Sequence, residues 1–448
     1  MLDSKKIMFA VLWAYTAATA AAQDSLRLSL SDAVKQGVNN NKSIRAEALN
    51  LDINSDQLEQ VNSVFLPSVT GNAGVLHYIN IPVQYTHANA LDPTAPADKY
   101  VGLRLLLPNS FGSGISVNWA LYDQALFSSL KIIKEHSNMT VVRLQKDKSE
   151  MAYTISQVYY GIVFAVRQKE NLVTIAANMD KLLVFLQANY NNGTIMRSEL
   201  DKVKVNKINI LSQIDALSSA IDTQVNLLKL LTGLPATVKL RLTEINFEGS
   251  LRPVTDTTAL IETTLDYRLM QSEIRMNQLE RIQTMANYFP KIGLAYNYSY
   301  NIVSPGLDGI FTSKFNFPIQ YIGINLTVPI FDGRLNHFKL RENATKRKQL
   351  DLQSDFLSEK LHTDIINARL SYNSSLNNMI SNAANVKLAQ ELYNQSLEQY
   401  HQGTTPLTDV LTYETSLEQA TVQYFNSVSG ALTSLLAYKK STNTLLEQ

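Results

Sequence analysis

The chain is laid down twice, and the repeated unit is too long and too poor in turns to make a compact domain. Phe65-Leu66-Pro67, ahead of an alternating stretch, returns as Tyr288-Phe289-Pro290. Ile115-Ser116-Val117, leading to Leu121-Tyr122-Asp123, returns as Ile324-Asn325-Leu326, leading to Ile330-Phe331-Asp332. Tyr190-Asn191-Asn192-Gly193-Thr194 returns as Tyr400-His401-Gln402-Gly403-Thr404. The aspartates are 209 residues apart and the glycines 210, the mark of a tandem duplication. The expected division is an export signal over 1–22, a first repeat over 23–240 and a second over 241–448. Each repeat reads helix, strand, loop, strand, very long helix, turn, helix.

Only 12 prolines and 17 glycines serve 448 residues, so the elements must be long. With 40 basic and 39 acidic residues and no block of like charge, the chain lacks the basic surface that nucleic acid requires. It has no cysteine, which excludes disulfides, thiolate metal sites, a cysteine nucleophile and a lipoprotein anchor. At the N-terminus, Lys5-Lys6, an apolar stretch from Ile7 to Ala20 and the small residues Ala20-Ala21-Ala22 before Gln23 have the form of an export signal. The apolar run is short for a membrane anchor.

A helix is expected from Leu30 to Val64, closed ahead of Pro67. Val69, Gly71, Ala73 and Val75 then alternate with Ser68, Thr70, Asn72 and Gly74. Residues 81–110, with four prolines, are expected to form a loop. A second strand is expected from Gly114 to Tyr122. In the second repeat, Ile292, Leu294, Tyr296, Tyr298, Tyr300 and Ile302 share a face, and after a loop at 304–317 so do Ile322, Ile324, Leu326, Val328 and Ile330. Period 2 puts every apolar side chain on one surface. Strands of about 10 residues cross a bilayer when tilted. A soluble sandwich strand shows the same alternation, but here four such strands sit between very long helices in a chain with an export signal. Four strands cannot close a barrel, which takes about eight or more, and an open edge in lipid leaves backbone groups unpaired. Several copies must therefore pool their strands.

No proline interrupts the 67 residues from Asp123 to Tyr190 or the 68 from Asp332 to Tyr400. At 1.5 Å per residue each helix would be roughly 100 Å long. The return helices carry a 3.5-residue rhythm. Leu200, Val203, Ile210, Ile214, Leu217, Ile221, Leu228 and Leu231 fill the first seam, with Lys207 and Gln224 as exceptions. Leu407, Val410, Leu417, Tyr424, Val428, Ala431, Leu435 and Tyr438 fill the second, with Glu414 and Thr421 as exceptions. Such seams are coiled-coil packing, and the wet outer faces suit the wall of a hollow cylinder.

In these residues the chain resembles the TolC-like outer-membrane efflux proteins over essentially its whole length after the signal. The likeness rests on the Pro67 and Pro290 boundaries, on Val328-Pro329-Ile330-Phe331-Asp332-Gly333-Arg334, and on the Tyr-x-x-Gly-Thr turns. The first repeat departs from the second of these, since Trp119-Ala120-Leu121-Tyr122-Asp123-Gln124 lacks both Pro and Gly. The resemblance implies a mainly α chain with a membrane β-barrel portion. Three copies would give four strands each to a twelve-stranded barrel, and their helices would continue as a periplasmic α-helical barrel. It further implies a passive exit channel, not an enzyme, working with a periplasmic adaptor protein and an inner-membrane transporter and needing no cofactor.

The turns Gly193-Thr194 and Gly403-Thr404 would then form the periplasmic tip. Family acids at this tip correspond to Glu199 and Asp409, each six residues after its turn glycine. Three copies of Asp409 would ring a narrow pore and favour cations. Where the family often has a further acid, this chain has Thr412. Tyr400 matches an aromatic that hydrogen-bonds across the closed tip, with Glu199 as a candidate partner. An acid in a first helical turn also offsets the macrodipole by roughly 0.3–1 kcal/mol, with no gate involved. The six histidines form no ligand-spaced pair, and no phosphate loop or nucleophile elbow appears. Tyrosines near the strands fit aromatic belts and strand propensity alike. A competing expectation is an exported coiled-coil stalk of structural or adhesive use.

Overall fold

The computed structural model describes residues 26–243, 251–255, 261–310, 312 and 314–446. The export-signal segment 1–22 lies outside them. In chain order the elements are β1 (Leu26–Leu28), α1 (Leu30–Asn40), α2 (Lys42–Ser63), β2 (Ser68–His77), β3 (Gln84–His87), β4 (Tyr100–Leu103), β5 (Asn109–Tyr122), α3 (Gln124–Asn191) and α4 (Arg197–Thr232). They continue with β6 (Leu240–Leu242), α5 (Leu265–Ala286), β7 (Lys291–Ser304), β8 (Asn316–Thr327), α6 (Leu335–His401) and α7 (Leu407–Ser441). The fold is mainly α, with one four-stranded sheet. Among the described residues no helix is long and apolar enough to cross a membrane.

Two compact units cut across the repeats, each drawing on both halves of the chain. The first gathers the described residues of Met1–Asn50, Thr140–Gln271 and Leu352–Gln448. It is mainly helical, with apolar clusters in its interior. Ile155, Tyr159, Leu228 and Val428 form one buried cluster, and Leu172, Leu186, Leu200, Val203, Ile210 and Leu407 a second. Tyr159 Oη donates to the carbonyls of Leu28 and Thr243 at 3.0 and 2.8 Å, which ties the parallel β1–β6 pair to α3.

The helix expected over 30–64 is two helices. Asn41 adopts an extended conformation between α1 and α2, where its side-chain oxygen accepts from the Ser43 N–H at 2.8 Å. Its Nδ2 donates to the Leu231 carbonyl at 2.9 Å, near the end of α4. A side chain that satisfies the backbone in this way competes with the helix, and here it wins.

The second unit, Leu51–Met139 with Ser272–Asp351, carries the sheet in the order β2-β5-β7-β8, antiparallel throughout. Its register carries the alternation across β2, β5 and β7 and into the C-terminal half of β8, from Ile322 to Leu326. Val69, Val117, Tyr296 and Ile322 form one cross-strand row, and Trp119, Leu294 and Ile324 another on the same face. The intervening rows hold Thr70, Ser116 and Asn297, then Asn72, Gly114 and Ser299, small and polar across β2, β5 and β7, but β8 sets Tyr321 and Ile319 into them. Thr70 and Ser116 hydroxyls meet at 2.7 Å on that side. The apolar face is open: Ile322 and Ile324 are each 70% exposed. Among the described residues the edges β2 and β8 each have one unpaired side, and Pro318 is tolerated because β8 is such an edge.

Two expectations about this unit need correction. The strand expected from Gly114 begins at Asn109, and the loop expected over 81–110 contains a short hairpin, β3 paired with β4. Four-residue strands among prolines give too little alternation to read. The helices of this unit meet through polar contacts, with His136 on Asn54 at 3.1 Å, Arg275 on Glu135 at 3.4 Å and Gln283 on Ser129 at 2.8 Å.

Pro67 and Pro290 each stand one residue before a strand, where a missing N–H and a restricted preceding residue end helical turns. Pro329 lies in the extended link from β8 to α6. The two strand-to-helix junctions explain why the repeats differ there. In the second, Gly333 and Arg334 both take positive φ (67° and 69°), and Asp332 caps α6 by accepting the N–H groups of Arg334 and Asn336, each at 2.9 Å. In the first, β5 runs into α3 with Asp123 accepting the Ala125 N–H at 2.9 Å and pairing with Lys291 at 2.9 Å. That junction makes no left-handed turn and so needs no glycine.

Candidate functional site

The two hairpin turns of the helical unit are built alike, bond for bond. After α3, the Gly193 N–H donates to the Tyr190 carbonyl at 3.0 Å and the Thr194 N–H to Asn189 at 2.9 Å. After α6, Gly403 donates to Tyr400 at 3.0 Å and Thr404 to Gln399 at 3.0 Å. Both glycines sit at φ 73°, and both threonine hydroxyls donate to the same carbonyl as their own N–H. This is the Schellman closure, in which left-handed backbone favours glycine. Neither glycine has a neighbour that a Cβ would meet, so backbone conformation alone selects it.

The helices that follow start without a side-chain cap, behind Met196 and Pro406. Glu199 and Asp409 occupy equivalent first-turn positions, their N–H groups donating to Met196 and Pro406 at 3.1 Å each. There each acid offsets the positive end of its helix. Among the described residues neither carboxylate makes an ion pair. Asp409 is exposed to solvent; Glu199 is half-buried.

Tyr400 is half-buried in the cluster of Leu186, Leu200 and Leu407. Its ring lies 6.3 Å from Phe185 in an edge-on arrangement, and His401 lies 4.8 Å from the same Phe185. Burial raises the Tyr400 phenol above its ordinary value, and the Glu199 carboxylate raises it further. Tyr400 and Glu199 are thus brought within electrostatic reach, but no hydrogen bond joins them among the described residues. Tyr190, the counterpart in the first repeat, is 39% exposed. Phe185 escaped the sequence reading; its only signal was an aromatic five residues before Tyr190.

The unexpected member of the site is Glu414, one of the polar exceptions in the second seam. It is 4% exposed, between Val410 and Leu417. Asn206 Nδ2 of α4 donates to its Oε2 at 3.1 Å, while Oε1 is buried with no hydrogen-bond partner. Burial raises its carboxyl to about 7, against the Asn206 hydrogen bond, which lowers it, and with Glu418, which raises it. The Tyr393 phenol of α6 is raised too, first by its own burial and then by Glu414. The other exceptions are ordinary. Lys207 pairs with Asp180 at 2.5 Å, and Thr421 Oγ1 donates to the Leu417 carbonyl at 2.8 Å.

No protein-family model matches the chain, and no curated protein matches its sequence. Solved structures do. CusC, a protein that forms a transmembrane channel, superposes with a TM-score of 0.72 at 14% identity, over 92% of this chain and 91% of its own. The CmeC outer membrane channel of Campylobacter jejuni gives 0.71 at 15% identity, over 93% of this chain and 85% of its own. The MtrE outer membrane channel of Neisseria gonorrhoeae, in its open state, gives 0.71 at 14%, over 93% and 89%. Over more than nine-tenths of its length, the chain has the fold of the TolC-like outer-membrane channels.

Proposed function

We propose that this chain is one subunit of a trimeric outer-membrane exit channel, the outer component of a tripartite efflux or type I secretion system. What carries the reading is the sheet: an apolar face, a face that is small and polar over three of its four strands, and two edges unpaired among the described residues. In lipid, unpaired backbone edges are not tolerated, so the sheet must close. Four strands are too few, whereas three copies supply twelve, within the range of membrane barrels. The apolar rows would face lipid and the small polar rows would line water. Similarity to outer-membrane channels supports the same reading and the same location.

In this reading residues 1–22 direct export, and 23–240 and 241–448 are the two repeats. The helices continue the duct through the periplasm, and the turns at Gly193 and Gly403 form its tip. Asp409, exposed in the first turn of α7, would ring the constriction in three copies, with Glu199 and Tyr400 holding the closed tip. A periplasmic adaptor protein and an inner-membrane transporter would supply attachment and energy; the channel itself catalyses nothing.

The test is conductance in planar bilayers. The purified protein should form channels, and Asp409→Ala should reduce their preference for cations by removing a carboxylate from each subunit. Unchanged selectivity and conductance would remove Asp409 from the pore lining. Failure of the wild-type protein to conduct, with or without adaptor, would count against the channel itself.

A further inference from the structure

We propose that Glu414 is a proton-operated latch on the seam between α4 and α7: with its carboxyl protonated the two return helices stay packed, and on losing the proton they part. The inference rests on the reading of these hairpins as a movable tip only for its consequence; the latch itself is a property of one chain.

The geometry carries it. A carboxyl stands where the heptad rhythm calls for an apolar knob, between buried Val410 and Leu417. One oxygen accepts from Asn206 across the seam at 3.1 Å, and the other is buried and unpartnered. A neutral carboxyl costs less there than an anion: it leaves one O–H unpartnered, whereas the anion would leave a full charge buried with only the Asn206 amide.

Among the described residues no cation is paired with it, although Lys202 lines the groove beside the seam. From α4 comes the neutral amide of Asn206, and the next residue, Lys207, is held by Asp180 of α3 at 2.5 Å. From α6 comes the phenol of Tyr393, and from α7 itself the like charge of Glu418 one turn along. Asp201, further along α4, is engaged by Arg197 at 3.5 Å and Lys204 at 3.9 Å.

Ionisation therefore calls for solvation from outside the seam. An open groove of about 860 Å³ runs along this seam, lined by Asn206, Thr415, Leu411, Ser198, Lys202 and Thr412. Water entering from it to solvate Glu414 must separate the seam at that level. A carboxyl that titrates at about 7 when folded and at the ordinary 4.5 when free binds its proton preferentially in the packed state. The seam's extra stability is complete below 4.5 and is lost as pH rises through about 7.

The experiment uses the absence of cysteine from the chain. Cysteines introduced at Ser198 on α4 and Thr412 on α7 are unique and can carry spin labels. The distance between them is measured in the detergent-purified full chain, diluted with unlabelled copies, at about pH 5.5 and about pH 8.5, either side of the titration. One narrow distance is expected at the lower pH and a longer, broader one at the higher, with a midpoint near 7. Glu414→Gln should hold the narrow distance at both, and Glu418→Gln should still switch. Asn206→Ala removes a bond across the seam and leaves the packed anion less favourable still, so the helices should part at lower pH. Should Glu414→Gln fail to fold, the wild-type titration and the Asn206→Ala midpoint decide alone. A wild-type distance that does not change with pH, or a Glu414→Gln protein that switches like the wild type, overturns the latch. Because the labels report seam spacing and not conduction, neither result bears on whether the protein is a channel.

Discussion

The helical unit and the strand-bearing unit are made from the same two repeats, yet they treat apolar side chains in opposite ways. All three buried apolar clusters among the described residues lie in the helical unit. In the strand-bearing unit the apolar rows of the sheet stay open, with Ile322, Ile324 and Leu326 all more than half exposed, and the helices meet through asparagine, glutamate and histidine. One chain completes the first unit's interior. It leaves the second with exposed apolar rows and two strand edges unpaired among the described residues, as the proposed shared barrel requires.

That contrast can be broken most sharply by truncating one apolar residue in each unit. Leu186→Ala, in a fully buried site, should lower stability by about 2–5 kcal/mol, as transfer and cavity terms add. Ile324→Ala should cost far less of the aqueous or detergent-solubilised protein's thermal stability, since its side chain already faces outward. Equal losses in thermal melts would mean that the sheet buries its apolar face against protein. Ile324→Arg sharpens the same point: at the bilayer midplane a lipid-facing arginine costs about 2–4 kcal/mol, so membrane assembly should fall while the helical unit still folds.

Next in size is pH. Glu414 belongs to the helical unit, and its raised carboxyl makes the folded state the better proton binder. Stability should therefore decline as pH climbs from 4.5 through about 7, and Glu414→Gln should flatten that slope. A melting temperature independent of pH across this window would contradict the burial of an unpaired carboxyl.

Smaller again are the turns. Gly193→Ala and Gly403→Ala impose the same left-handed penalty, about 1–2 kcal/mol, because both glycines share φ 73° and both have open space around them. Unequal losses would show that the tips differ in packing as well as in backbone. The smallest effect belongs to Glu199→Gln and Asp409→Asn, each expected to cost about 0.3–1 kcal/mol by removing a charge from a helix start.

Much of this was legible because it depends on local order. The alternation from Val69 to Val75 and from Ile292 to Ile302 needs no partner to be seen, nor do the Gly-Thr turns or the proline boundaries. The rest depends on residues far away in sequence. The break at Asn41 is secured by a carbonyl 190 residues distant. Glu414 looked like a flaw in a coiled-coil seam until Asn206, 208 residues away, supplied its hydrogen bond. Tyr400 lies within electrostatic reach of Glu199, and its ring also meets Phe185 edge-on, a neighbour 215 residues away that no short-range pattern marks. The β3–β4 hairpin is hidden for another reason, since its strands are too short for periodicity to register.

Everything rests on the sheet being one part of a shared, lipid-facing wall. The most direct check is the native mass of the mature protein, extracted from membranes in detergent and compared with its behaviour in plain buffer. A complex of three chains that stays soluble only in detergent is the expected result. A single chain, monodisperse in buffer without detergent and keeping its strand content, would contradict it.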